Sequence, residues 1–210
     1  MVDRKSPRPV DPATVPCDYV LCTHAHGDHI ADALPRARKH GATIVAPFEL
    51  AEYFAAQGAT TLDLMPGGGV DLPLGRIQMT PAIHSSALEL PDGENRSRGV
   101  PSGYVVRAGG RTLYHAGDTA LFGDMSLIGR HGLDVALIPI GDFYTMGPAD
   151  ANEALNYSAR NSPCRCITTA RKRSGRTRRR LRPGRRRRGK LFGCCWQVSQ
   201  YLCKTPKIGV

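Results

Sequence analysis

Between Thr23 and His29 the chain reads Thr-His-Ala-His-Gly-Asp-His, directly after the apolar run Tyr19-Val20-Leu21. Three imidazoles and one carboxylate so close together must be held by whatever fold the chain adopts, and few folds have a use for them. Imidazole and carboxylate are the ligands that suit zinc and similar divalent ions. On an extended segment alternate residues point the same way, so His24 and His26 share a direction. The chain then turns at Gly27, which lets Asp28 and His29 face a second metal nearby. A lone histidine is usually structural, whereas this spacing after a strand reads as metal binding.

The 210 residues allow one domain with a sizeable core. No apolar run approaches the roughly 18 to 20 residues of a membrane helix. The N-terminus is polar, basic and Pro-rich, without the apolar stretch of a secretory leader, which implies a cytoplasmic protein. The formal charge of +11 suggests nucleic acid at first sight, but it is unevenly spread. Through Ala159 there are 12 Lys and Arg against 18 Asp and Glu, a net of −6, while residues 160–210 hold 17 basic residues and no acid. Five of the seven cysteines also lie beyond Arg160. Only Cys17 and Cys22 belong to the acidic part, a reduced usage without a disulfide framework. The organisation expected is a loose arm over residues 1–14, a folded domain bearing the histidine motif over 15–159 and a basic tail over 160–210.

Short apolar runs predict strands at Asp18–Cys22, Thr43–Ala46, Leu62–Met65, Arg76–Ile83, Tyr104–Val106, Thr112–Tyr114 and Val135–Ile138. Helices are predicted over Asp28–His40, closed by Gly41 though crossed by Pro35, over Pro47–Gln57 and over Pro148–Ser158. Gly67-Gly68-Gly69 lacks the following helix and the Lys-Ser/Thr pair of a phosphate loop, and reads as a turn between strands. His40 and His131 precede glycines at helix ends, where a cation suits the dipole, and read as structural.

Further stations follow the first motif: Thr80-Pro81-Ala82-Ile83-His84-Ser85-Ser86, Tyr114-His115-Ala116-Gly117-Asp118-Thr119 and Asp134 to Gly141. Together with His24-x-His26-x-Asp28-His29 they resemble the metallo-β-lactamase superfamily. Phe122-Gly123-Asp124-Met125 and Thr145-Met146-Gly147-Pro148 resemble its small metal-dependent hydrolases related to ascorbate-6-phosphate lactonase. The resemblance runs from about Val15 to about Tyr157. It implies an α/β fold, the αββα sandwich with metals at the strand ends between two sheets, here incomplete at both ends. It implies two divalent ions, zinc or manganese. His24, His26 and His84 would hold the first, and Asp28, His29 and Asp118 the second, with Asp118 bridging. Metal-activated water would then attack an ester, a lactone or a phosphorylated small molecule, and Asp28 and Asp118 are the candidate catalytic carboxylates. His115 reads either as a residue orienting Asp118 or as a satisfied histidine at a strand end. Arg96 and Arg98 read either as anion contacts or, better, as solvated loop charges. Substrate identity and oligomeric state are left open.

The family pattern breaks at both ends. Relatives begin with a further β-hairpin region, and the chain is expected to lack it. Relatives also carry Pro-Met-His-Tyr after the last helix, where this chain has Ser162-Pro163-Cys164-Arg165-Cys166-Ile167-Thr168-Thr169, and no histidine follows His131. Written as CAG CCC GTG CCG ATG CAT TAC AAC, the peptide Gln-Pro-Val-Pro-Met-His-Tyr-Asn becomes residues 162–169 when read one base later. A one-base deletion between about Asn156 and Asn161 is therefore expected, with out-of-frame translation beyond it. The alternative is an Arg-rich tail on an inactive hydrolase scaffold. Its 13 basic residues between Arg171 and Lys190 would bind nucleic acid non-specifically and in a salt-dependent way.

Overall fold

The apolar run before the histidines becomes strand β1, Cys17–Leu21. A computed structural model of the chain describes residues 15–158, together with two backbone strands at 165–169 and 201–203. The N-terminal arm and most of the basic tail lie outside the described residues.

β1 lies parallel to β2 (Thr43–Pro47), and β2 lies parallel to β3 (Thr61–Leu64). β12 (Tyr201–Cys203) runs antiparallel along the other edge of β1, giving a four-stranded sheet. The second sheet has six strands in the order β11-β10-β9-β8-β5-β4. These are β4 (Gly69–Leu72), β5 (Gly75–Pro81), β8 (Ser102–Ala108), β9 (Arg111–His115), β10 (Val135–Pro139) and β11 (Arg165–Thr169). A separate hairpin joins β6 (Ala87–Glu89) to β7 (Asn95–Ser97).

Period-two alternation sorts each strand's side chains into layers. Leu21 and Val45 from the first sheet meet Ile77, Met79, Tyr104 and Val106 from the second, which forms the layer between the sheets. Val20, Cys22, Ile44 and Ala46 point the other way, against helices α2 (Ala33–His40) and α3 (Phe48–Ala55). Val105, Tyr114, Ala136 and Ile138 likewise pack on α4 (Met125–Ile128) and α5 (Pro148–Ser158). Helix, sheet, sheet, helix is the expected αββα order.

One helix expected over Asp28–His40 is instead two. A short α1 (Gly27–Ile30) ends at Ala31, and α2 starts at Ala33. The break puts Pro35 in the first turn of α2, where a backbone N–H would have no intrahelical partner anyway. Gly41 closes α2 at φ +64°, as its position predicts. The strand expected to reach Ile83 stops at Pro81, which frees Ala82, Ile83 and His84 to form a loop. Gly67 and Gly68 lie in the turn between β3 and β4, and Gly69 opens β4.

Candidate metal centre

Three strand ends converge on one seam between the sheets. β1 leads into Thr23–His29, β5 into the loop of His84, and β9 through Ala116 and Gly117 to Asp118. The Tyr104 hydroxyl, from the second sheet, lies 2.7 Å from the Cys22 carbonyl and 3.1 Å from that of Val45. The Ser102 N–H donates to the Thr23 carbonyl at 2.9 Å. These bonds pin the first histidine segment to the opposite sheet.

His24 is fully buried, with its Nδ1 2.9 Å from the Thr23 hydroxyl. That bond fixes the ring so that Nε2 faces inward, 3.1 Å from Nδ1 of His26. On its far side, Nε2 of His26 lies 3.2 Å from the Ser85 hydroxyl. The His84 ring stands edge-on to both, with centroids 5.1 Å from His24 and 5.0 Å from His26. One ligand atom from each of His24, His26 and His84 fits within 4.8 Å of the others. The same holds for His24, His29 and Asp118.

The two triads therefore share His24, which the sequence reading assigned to the first metal alone. Asp28, expected as a ligand of the second, stands outside both triads, with its Oδ2 3.6 Å from His29 Nε2. His29 Nε2 also lies 3.4 Å from Asp118 Oδ2. His29 thus bridges two carboxylates, one toward solvent and one toward the centre.

Burial, then the charge of His29, pulls the His24 ring down to about 2, so it is held neutral. Burial, then His84, lowers His26. Burial pushes the Asp118 carboxyl up, but the hydrogen bond and charge of His29, with His24 and His84, outweigh it and hold it at about 2. Held neutral, His24 and His26 each keep one ring lone pair, and beside the ionised Asp118 they form a nitrogen and oxygen donor set. Nitrogen donors with one carboxylate suit zinc-like ions, so the residues present fit such a group. Cys22, buried nearby, has its thiol pushed up to about 12 by that burial and stays protonated.

His115 supplies the turn rather than a ligand: its Nδ1 accepts the Gly117 N–H at 3.0 Å. Burial, then His29, pulls its ring down to about 4, which keeps Nδ1 free to accept. Gly117 itself sits at φ +66°, and a Cβ there would come within 2.5 Å of the Ser102 carbonyl oxygen. A residue that the motifs did not single out completes the frame. The Thr119 hydroxyl accepts the Ile83 N–H at 2.9 Å, while the Ala120 N–H donates to the Ile83 carbonyl at 3.0 Å. The loops of His84 and Asp118 are thus tied together. Arg96 lies 3.2 Å from Glu94, and the Arg98 guanidinium stacks 5.0 Å above the Tyr53 ring.

Among the described residues, no helix is long and apolar enough to cross a membrane. A protein of Opitutus terrae described as a UPF0173 metal-dependent hydrolase is 76% identical over 147 residues, a match covering 70% of this chain and 65% of that protein. The chain thus spans a little under two thirds of this curated relative's length. The solved structure of Igni18, described as a metallo hydrolase from Ignicoccus hospitalis, superposes with a TM-score of 0.62 at 34% identity, covering 73% of this chain and 62% of that one. The metallo-beta-lactamase fold protein YhfI of Bacillus subtilis shares the fold at a TM-score of 0.53 and 15% identity, covering 73% of this chain and 63% of that one. A family model described as the Beta-lactamase superfamily domain matches residues 2–169. With the sandwich layers and the histidine-rich strand ends in agreement, the chain belongs to the β-lactamase superfamily, in its metallo-hydrolase fold.

Proposed function

We propose that this chain hydrolyses a carboxylic ester or lactone with the help of two divalent ions, zinc or manganese. The observation that carries the reading is the pair of triads joined at His24, one of three histidines and one of two histidines with a carboxylate. Ions of this kind lower the pKa of a bound water toward neutrality and polarise a carbonyl or phosphoryl oxygen.

The chain's own residues divide the remaining work. His24, His26 and His84 would hold one ion, and His29 with Asp118 the other, since Thr23 holds His24 Nδ1 and the one remaining ring nitrogen serves a single ion at a time. Thr23 and Ser85 orient two of the rings through their hydroxyls. Asp118, held ionised, keeps a negative charge fixed at the centre. The Asp28 carboxylate, 40% exposed, lies 3.6 Å from His29 and is suited to take a proton from the reacting water and pass it to solvent. Engagement of Arg96 by Glu94 and of Arg98 by Tyr53 favours an ester or lactone over a phosphorylated small molecule. The buried, protonated thiol of Cys22 suits a reduced, cytoplasmic setting.

The test is turnover of p-nitrophenyl acetate, a lactone and p-nitrophenyl phosphate by the full chain loaded with zinc or manganese. Ester or lactone hydrolysis should fall more than about 100-fold in His24→Ala and on chelation. Turnover that survives His24→Ala, or none that depends on metal, overturns the reading. The basic run at 171–190 supports a second reading, non-specific nucleic-acid binding on an inactive scaffold. Salt-dependent RNA binding unchanged in His24→Ala, with no ester turnover in the parent chain, is the outcome that favours it.

A further inference from the structure

Beside the candidate centre lies a groove of about 570 Å³. Met65 and Pro66, the run from Pro81 to His84, and Val100 with Pro101 line it, and it is broadly open to solvent. His84 is also a member of the three-histidine triad, so groove and centre are continuous through one side chain. Met65 is 47% exposed, Ile83 56% and Val100 41%. Single exposed apolar residues are ordinary. Three of them lining one shallow groove, together with prolines and the His84 imidazole, have the composition of a ligand site.

Three separate loops build the hollow. Met65 follows β3, Ile83 follows β5, and Val100 precedes β8. The Thr119 hydroxyl holds the Ile83 backbone, so the inner wall is fixed relative to Asp118. The prolines restrict the backbone of the other two walls and add no donors. A charged or heavily hydroxylated group placed here would lose water without gaining partners, since among the described residues His84 alone gives the lining a polar side chain. An alkyl or aryl group would lose only unfavourable hydration.

We propose that this groove receives the apolar acyl or alkoxy group of the substrate, so that the ester or lactone bond lies over the triad while its hydrocarbon part lies against Met65, Ile83 and Val100. The assignment rests on the hydrolase reading above and narrows it to esters or lactones with an uncharged hydrocarbon substituent of several carbons.

Two measurements on the full chain separate this proposal from that reading. The first follows p-nitrophenyl esters from acetate to hexanoate with the metal-loaded protein. kcat/KM should rise by at least about tenfold along the series. Met65→Asp and Val100→Asp, which leave every candidate ligand in place, should flatten that rise while metal content stays at the parent value. The second uses hexanamide, an uncleaved analogue, with binding followed by ligand-observed NMR without metal. It should bind the parent chain and His24→Ala alike, and at least about tenfold more weakly to both aspartate variants. Failure of hexanamide to bind, binding indifferent to both aspartates, or a flat chain-length series in an active enzyme each overturns the groove assignment. Hexanamide binding lost in the aspartate variants, with no turnover of any ester, keeps the groove and removes the hydrolase reading.

Discussion

Nε2 of His24 lies 3.1 Å from Nδ1 of His26, and the same His24 belongs to the second triad with His29 and Asp118. Two neutral ring nitrogens at this separation have no mutual reason to face one another except through something bound between them or one shared proton. The shared position makes the variants unequal. His24 has one free ring nitrogen, which can complete either triad, so His24→Ala should weaken binding at whichever triad is filled, with affinity falling more than about 100-fold. His84→Ala should remove one and leave the triad of His24, His29 and Asp118, and His29→Ala should do the reverse. Metal content by elemental analysis after dialysis, with a zinc titration, reads the result. Equal stoichiometry in the His24 and His84 variants would contradict the shared role.

Gly117→Ala tests the turn that presents Asp118. The position holds φ +66°, and the added Cβ would meet the Ser102 carbonyl oxygen at 2.5 Å and the Thr23 side chain at 3.2 Å. Neither neighbour is a flexible chain end, and Ser102 is bound through its own N–H to Thr23. Strain of this kind costs on the order of 1–3 kcal/mol, so the thermal midpoint should fall by several degrees and the metal affinity with it. Gly123→Ala, where nothing lies within 4 Å of an added Cβ, is the control and should leave both near the parent values. A Gly117→Ala chain as stable as that control would mean the turn is not held as described.

The histidine motif was legible in the sequence from local rules, whereas His84 and Asp118 joined the candidate set only through the family resemblance. His24 and His26 must alternate on an extended segment, and Gly117 must precede Asp118 for the chain to turn there. The layering came from the family resemblance, and the structure supplies its local basis, since Val20 and Cys22 face the helices while Leu21 faces the other sheet. What escaped depends on residues far apart in the chain. Thr119 braces Ile83 across 36 positions, and Met65 meets Val100 only because three loops come together. No local pattern marks Arg36 as buried, and it is 2% exposed with its Nη1 3.3 Å from the Val15 carbonyl. The assignment of Asp28 to the second metal came from the motif, whereas its position on α1 turns its carboxylate toward His29 at the rim.

Acid should weaken the fold through Asp134, which caps the join between β9 and β10. Its carboxylate accepts the Thr112 N–H at 2.8 Å and an Arg111 N–H at 2.9 Å. The Thr112 bond first, and Arg111 second, hold the carboxyl below its ordinary 3.8 in the folded chain. The unfolded chain therefore takes up the proton first as pH falls. The stabilisation is complete well above 3.8 and is lost as pH drops through the lower folded value. Urea midpoints of the parent and Asp134→Asn should differ at pH 6 and converge toward pH 3. A gap that stays constant across that range would show that the carboxylate charge contributes nothing.

The last expectation concerns residues 162–169 and is read from DNA. β11 runs parallel to β10 with Ile167 opposite Leu137, and Leu137 lies opposite His115 on the other side. Position 167 therefore falls in line with the strand end from which the chain reaches Asp118. It is also the position that becomes histidine when residues 162–169 are translated from one base earlier. Resequencing across codons 155–172 should show TGC ATT ACA for Cys166 to Thr168 and a codon ending in A for Arg165. Restoring one base between codons 156 and 161 should then yield a chain that holds its second ion more tightly than the present one, measured by the same zinc titration. Other codons at these positions would make the basic tail genuine coding sequence. The His24, His29 and Asp118 triad would then have no histidine to gain from the strand beside β10.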